Sequence, residues 1–422
     1  MFAGRHGASG VVALALLVFS AVADGAERVR TVDECVRLAL ERSPAAQAAG
    51  FQVDAASAQL RAARSAYAPR LSVQGEYGRS ERFDEAVTNG GSTAALLTIE
   101  AALLDGGLRD AQFAAARARL KGTEARARQQ RADLALAVRA AYFTALARRS
   151  EAAVQADALR AVRAYAEMLR RQERNGLVQR NDVLRAQLAV ETAGAAGRAA
   201  AADLRTSCDL LGTLTGEPLP PEALIDPEHR PFVQADTNLI DASPVMVEAR
   251  SAAEAAQREI DAVSSERGEK LTLTASGGFL GVQPAPTFHD NGGGQFLVGF
   301  SLPIFDGGVV AQRIAAAVAA ANAAKANVEQ SRQTVATALF RASTEAELAQ
   351  ADVDAWREAV PKARESFELM RARYFGGGDV RLLEVLDALN QSVDARLNLQ
   401  HALLSYRVAA ATQLQILGEG LP

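Results

Sequence analysis

Few side chains in these 422 residues have the spacing that chemistry requires. The four histidines, His6, His229, His289 and His401, stand singly, without the close pairs that metal ligation needs. Cys35 and Cys208 both lie in helix-like text; two isolated buried thiols are the first reading, and a disulfide between them stays open. No nucleophile shares a pattern with a base, so neither a catalytic set nor a cofactor is expected. What recurs is carboxylate with glycine. "ALLDGGLRD" (102–110) and "LPIFDGGVV" (302–310) both run from apolar text into Asp-Gly-Gly, and Asp306 stands 201 positions after Asp105. A nucleotide-binding loop would continue with Lys-Ser/Thr, and neither copy does. A calcium loop would need a second group of acids. Glu384 and Asp387 form the other carboxylate pair, three apart and so on one face of a helix.

The doubled joint belongs to a larger repeat. Ser43-Pro44 returns as Ser243-Pro244, "RLSVQGEY" (70–77) as "KLTLTASG" (270–277), and "NGLVQRNDVLRAQ" (175–187) as "GGGDVRLLEVLDAL" (376–389). Offsets near 200 indicate tandem duplication of one structural unit, 24–215 and 236–422. Between them lies a Pro-rich linker, 216–235, unsuited to a helix interior. Residues 1–23 read as a secretory signal peptide: Arg5 and His6 precede the apolar run Val11–Ser20, and "AVAD" (21–24) offers an Ala-x-Ala cleavage site. The net charge of −4, from 46 basic and 50 acidic residues interspersed, excludes the basic patch that nucleic acid requires.

Each unit is expected to run helix, strand, loop, strand, long helix, turn, helix. The first helix opens at Thr31, with Glu34 completing a capping box, and extends to about Ser65 with a break or kink at Pro44. Segments 70–79, 95–104, 271–280 and 295–304 alternate with period two, as in Leu71, Val73 and Tyr77 against Ser72, Gln74 and Glu76. Their length of about ten suits strands that cross a membrane. The loops 80–93 and 281–294 are long and glycine-rich, as the outer loops of such a barrel are. Asp-Gly-Gly (Asp105, Gly106, Gly107; Asp306, Gly307, Gly308) then joins strand to helix, with Asp expected as N-cap and two glycines making the turn.

The helices 108–174 and 309–375 follow, and then 181–212 and 380–417. Val335, Leu339, Ala342, Ala346, Ala349, Val353, Trp356, Val360, Ala363, Phe367, Met370 and Tyr374 step by four and three, the seam of a coiled coil. Leu134, Val138, Ala141 and Ala145 begin the same stepping in the first unit, which then meets Arg148 and Gln155 as interruptions. Four strands cannot close a barrel, and an open sheet edge cannot lie in lipid. Several chains must therefore combine.

With its signal peptide, duplicated unit, two Asp-Gly-Gly joints and the turns "NGLVQRNDVLRAQ" and "YFGGGDVRLLEVLDA" (374–388), the sequence resembles a TolC-family outer-membrane efflux protein. The resemblance covers nearly the whole mature chain. It implies an α+β membrane protein, a homotrimer with a twelve-stranded β-barrel in outer-membrane lipid and a twelve-helix α-barrel through the periplasm. It implies a passive exit duct, coupled through a periplasmic adaptor (membrane fusion) protein to an inner-membrane pump of RND, ABC or similar type. It places the adaptor-docking turns at Gly176, Leu177 and Val178 and at Gly377 and Gly378. Glu384 and Asp387 would narrow the periplasmic aperture, with Asp182 as a neighbouring restraint. This chain departs from the family pattern after Tyr374: one residue is added before Gly378, Val380 stands where a basic residue is expected, and Arg381 comes one later. The competing readings, a periplasmic coiled-coil adaptor or a structural coiled coil, do not account for four repeat-matched strands.

Overall fold

The computed structural model describes residues 29–88, 90–227, 237–281, 292–377 and 380–419. The signal peptide, Gly378, Asn89 and most of the segment 281–294 lie outside the described residues. Helix α1 (Val32–Arg42) begins at Thr31, whose side chain and that of Glu34 form the capping box. Ser43 then ends α1 and caps α2 (Pro44–Ser65), so Pro44 opens a new helix instead of kinking one. Proline is suited to that first-turn place because its missing N–H has no partner there.

Strand β1 (Arg70–Arg79) leads through a short helix, α3 (Glu85–Thr88), to β2 (Gly91–Asp105). The second unit supplies β3 (Lys270–Gly281) and β4 (Gly292–Ser301). All four form one antiparallel sheet in the order β1-β2-β3-β4. The register fixes the faces, because directly opposed residues point the same way. Val73 opposes Leu97, Ile99 opposes Ala275, and Ala275 opposes Phe296. Ser72 opposes Thr98, Thr98 opposes Ser276, and Ser276 opposes Gln295. One face is therefore apolar and the other mainly polar, and the apolar one is exposed: Val73 is 78% and Phe296 85% accessible. Strand β4 stops at Ser301, short of the expected 304. Pro303 follows and cannot donate to a ladder. Strand β2 begins earlier than expected, at Gly91, and bulges between Ala102 and Leu104.

Two helices of 67 residues, α4 (Leu108–Arg174) and α7 (Val309–Phe375), leave the sheet and run about 100 Å. Each turns back into a helix of 36 residues, α5 (Arg180–Thr215) and α8 (Leu382–Leu417). Helix α6 (Pro244–Ser264) is the second-unit counterpart of α2. Near the sheet the row is α2-α4-α6-α7, and further away it is α5-α4-α8-α7. The α7 seam is buried at Val335, Leu339, Ala342, Ala346, Ala349, Val353 and Phe367. Pro361 lies within α7 without ending it. In α4 the buried line does not pass through Arg148 and Gln155. It shifts to Glu151, Val154, Ala158, Val162, Tyr165 and Leu169. Glu151 is tolerated there because Arg148 donates to it at 2.6 Å and His401 of α8 approaches at 3.0 Å.

The main core lies where α1, α4 and α5 meet the linker. Tyr142 is fully buried; its hydroxyl accepts from the Ile225 N–H at 2.9 Å and reaches the Arg30 and Ile225 carbonyls at 2.8 and 2.7 Å. Burial pushes its ionisation up to about 12, so it stays a neutral donor. Cys35 and Cys208 are both free thiols in this core.

Candidate functional site

The two strand-to-helix joints are built differently from the expectation. Gly107 and Gly308, at φ 90° and 87°, occupy the N-cap positions. The aspartate two residues earlier does the capping from outside. Asp105 accepts from the N–H of Gly107 and of Arg109, each at 3.1 Å, and from Arg109 Nε at 2.6 Å. Asp306 accepts from Gly308 and Val310, each at 2.8 Å. The reason is the pair of left-handed glycines, which folds the chain back until the carboxylate reaches the first free N–H groups. Those N–H groups hold the Asp306 carboxyl below its ordinary range. Its contribution to stability is present above the usual carboxylate pKa and is lost as pH falls through the lowered one. Gly106 has a second constraint: a Cβ there would stand 2.8 Å from the Ser265 carbonyl oxygen.

At the far end, α4 closes with a Schellman turn. The Leu177 N–H bonds Gln172 O at 2.9 Å, the Gly176 N–H bonds Glu173 O at 2.9 Å, and Gly176 has φ 74°. The turn leaves Leu177 71% exposed, while Val178 packs against Leu169 and Val183. Helix α7 ends at Gly376, whose N–H bonds Ala372 O at 2.9 Å, with Gly377 at φ 78°. The two turns are tied together above their tips. Tyr165 stacks on Phe375 at 5.7 Å and meets Phe367 edge-on at 6.4 Å, over Val385 and Leu389. Sequence stepping found Phe367 but missed Tyr165, because the α4 register shifts at Glu151; following Val154, Ala158 and Val162 would have reached it.

Asp182 opens α5 and is half-buried. Burial, then the Asp182 charge, push the Tyr374 phenol above its ordinary value, so the first turn motif does face the end of α7. Val380 packs into the aromatic cluster, and Arg381 serves as the N-cap of α8. Glu384 and Asp387 are exposed, while Leu382 on the opposite side and the flanking Val385 and Ala388 are buried. The pair therefore presents two exposed carboxylates from one face of α8.

An exposed apolar sheet face, a polar reverse and a stalk of about 100 Å describe a wall with one side in lipid. A family profile described as outer membrane efflux protein matches residues 35–217 and 237–419, both repeats. The chain belongs to the outer membrane efflux protein family. Outer membrane protein TolC of Salmonella enteritidis is 25% identical, over 94% of this chain and 83% of TolC. A membrane protein from Pseudomonas aeruginosa superposes with a TM-score of 0.81 at 22% identity, covering 93% of each chain. The outer membrane protein VceC of Vibrio cholerae gives 0.80 at 20%, covering 93% of this chain and 97% of VceC. The efflux protein is thus an outer-membrane channel component, with its helices in the periplasm. Its sheet carries the four strands that the sequence expects of each chain.

Proposed function

We propose that three copies of this efflux protein close into one passive duct, reached in the periplasm by an adaptor protein and fed by an inner-membrane pump. The observation that carries the ring is that every layer has two open ends in the same order. β1 and β4 are the sheet edges; α2 and α7 end the upper helix row, α5 and α7 the lower. The end helices also carry exposed apolar side chains, Phe51 on α2, Leu184 and Leu188 on α5, Phe340 and Leu348 on α7. A neighbouring copy set beside β4 and α7 by one rotation would cover all of them, and rotation closes a ring without leaving a sheet edge in lipid. Three copies supply twelve strands, two only eight; the twelve-helix stalk needs the same three.

The test is topological. Epitopes inserted at Asn89 and at Asn291 should be reached by antibody on intact cells, and one at Asn175 only after the outer membrane is opened. Surface labelling at Asn175 alone would overturn the orientation, and a detergent-extracted species of one chain's mass would overturn the ring.

Coupling is assigned to the turns Gly176–Val178 and Gly377–Gly378, of which the structure describes all but Gly378. Gly176 is explained by its turn, and Leu177 is the exposed apolar side chain that the turn holds out at the tip, where this reading puts the contact. Leu177→Glu should leave trimers and outer-membrane insertion intact but lower export by about tenfold or more, the effect of losing one interface anchor. Export at the wild-type rate would remove Leu177 from the contact.

A further inference from the structure

The reverse face of the sheet is mainly polar, but it carries one patch of a different kind. Leu96 opposes Gly278, and Gly278 opposes Gly293, so the three share that face in adjacent strands. Leu280 lies two residues to one side of this row, and the opposed pair Ser276 and Gln295 two residues to the other. These six residues line a cavity of about 340 Å³. Its two glycines differ in their reasons. A Cβ on Gly278 would stand 2.1 Å from the Ala95 carbonyl oxygen, so packing excludes a side chain there. A Cβ on Gly293 would meet nothing within 4 Å, and its φ is not positive. The fold does not require glycine at 293. A strand glycine without a backbone reason often marks close approach by a ligand. Charge on this face is sorted along the strands. Arg70 opposite Glu100, and Lys270 opposite Asp105, lie at the helix end. Among the described strand residues, Glu76 is the one charge on the other half of the reverse face. It opposes Ala94, which opposes Leu280. Two strand spacings, about 10 Å, separate Glu76 from Leu280, with only a methyl group between them.

We infer that this patch is a binding subsite for lipophilic organic cations near the outer mouth of the duct. The inference rests on the duct reading above, which turns the reverse face to the lumen. The apolar body of the ligand lies against Leu96 and Leu280, over the bare backbone of Gly293, with its charge towards Glu76. A concave site with apolar walls and a few polar groups is the usual form of a small-molecule site. Ser276 and Gln295 supply those groups, a hydroxyl and an amide that can each donate or accept. A bare metal ion does not suit the patch, because it takes several oxygen ligands and has no use for leucine. An anion would be repelled by Glu76. A single carboxylate in water holds a cation weakly, which lets cargo leave as well as enter.

The probe is tetraphenylphosphonium, added on the outer-loop side of the purified protein in planar lipid bilayers, with block of the single-channel current as the readout. Tetraethylammonium, which has the same charge and no rings, should need about tenfold more for half block, because it buries less apolar surface. Gly293→Leu fills the floor of the patch and should raise the half-blocking concentration of tetraphenylphosphonium by about tenfold. Glu76→Gln should raise it by about threefold. Glu100→Gln, at the other end of the same face, should leave it unchanged. Should Gly293→Leu not assemble, Leu280→Ser removes one wall at an exposed position and should weaken block in the same direction. An unblocked wild-type pore, unchanged block in Glu76→Gln, or an equal loss in Glu100→Gln would overturn the subsite. A wild-type protein that forms no pore would overturn the duct reading itself, so the two failures are distinguishable.

Discussion

Phe296→Arg is expected to remove the protein from the outer membrane, while Leu297→Arg, one residue along, leaves it there. Phe296 lies mid-strand on the apolar face, opposite Ala275, and is 85% exposed in the single chain. Leu297 opposes Thr274 on the other face, which in turn opposes Glu100. An arginine near the midplane of the lipid face costs about 2–4 kcal/mol, and a three-fold assembly incurs it in each chain. Even one such term lowers the folding equilibrium constant by roughly 30- to 1,000-fold. An arginine on the reverse face meets water and an acidic neighbour. Membrane fractionation and trimer mobility on unheated gels measure both variants. Equal loss in the two would show that the sheet has no lipid side.

The second large effect concerns ion selectivity. In a trimer, Glu384 and Asp387 would bring six carboxylates to one aperture. At about 8 Å in water each contributes roughly 0.5 kcal/mol to a monovalent cation, or roughly 3 kcal/mol for six before salt screens them. Half of that still concentrates cations by about tenfold. Glu384→Gln with Asp387→Asn should therefore bring the cation-to-anion permeability ratio down by about tenfold and relieve block by multivalent cations in planar-bilayer recordings. Both residues are exposed and the substitutions are near-isosteric, so the double variant should fold normally. Unchanged selectivity and block would take the pair out of the pore.

Local periodicity made much of this legible. Leu71, Val73 and Tyr77, or Phe296, Val298 and Phe300, share a face in any strand because the side-chain period is two. The α7 seam from Val335 to Val353 needed only the stepping of a coiled coil, and it is buried again at Phe367, beyond Pro361. Internal duplication revealed the second unit by comparison with the first. The surroundings of the proposed aperture were less legible. Asp182 and Tyr374 lie far apart in sequence, and their meeting depends on how two hairpins lean together.

Sequence by itself determined the four strands and the long helices to within a few residues, because those are decided by local spacing, caps and glycine. Tertiary structure alone decided that Gly107 and Gly308, not the aspartates, take the N-cap, since a carboxylate's reach depends on the φ of the glycines that follow it. It decided that the α4 seam passes through a buried Glu151, because the compensating His401 comes from a helix some 250 positions later. It decided that β2 pairs with β3 across the repeat boundary, leaving β1 and β4 as edges. Those outcomes rest on contacts between distant segments, whose energies no local pattern encodes.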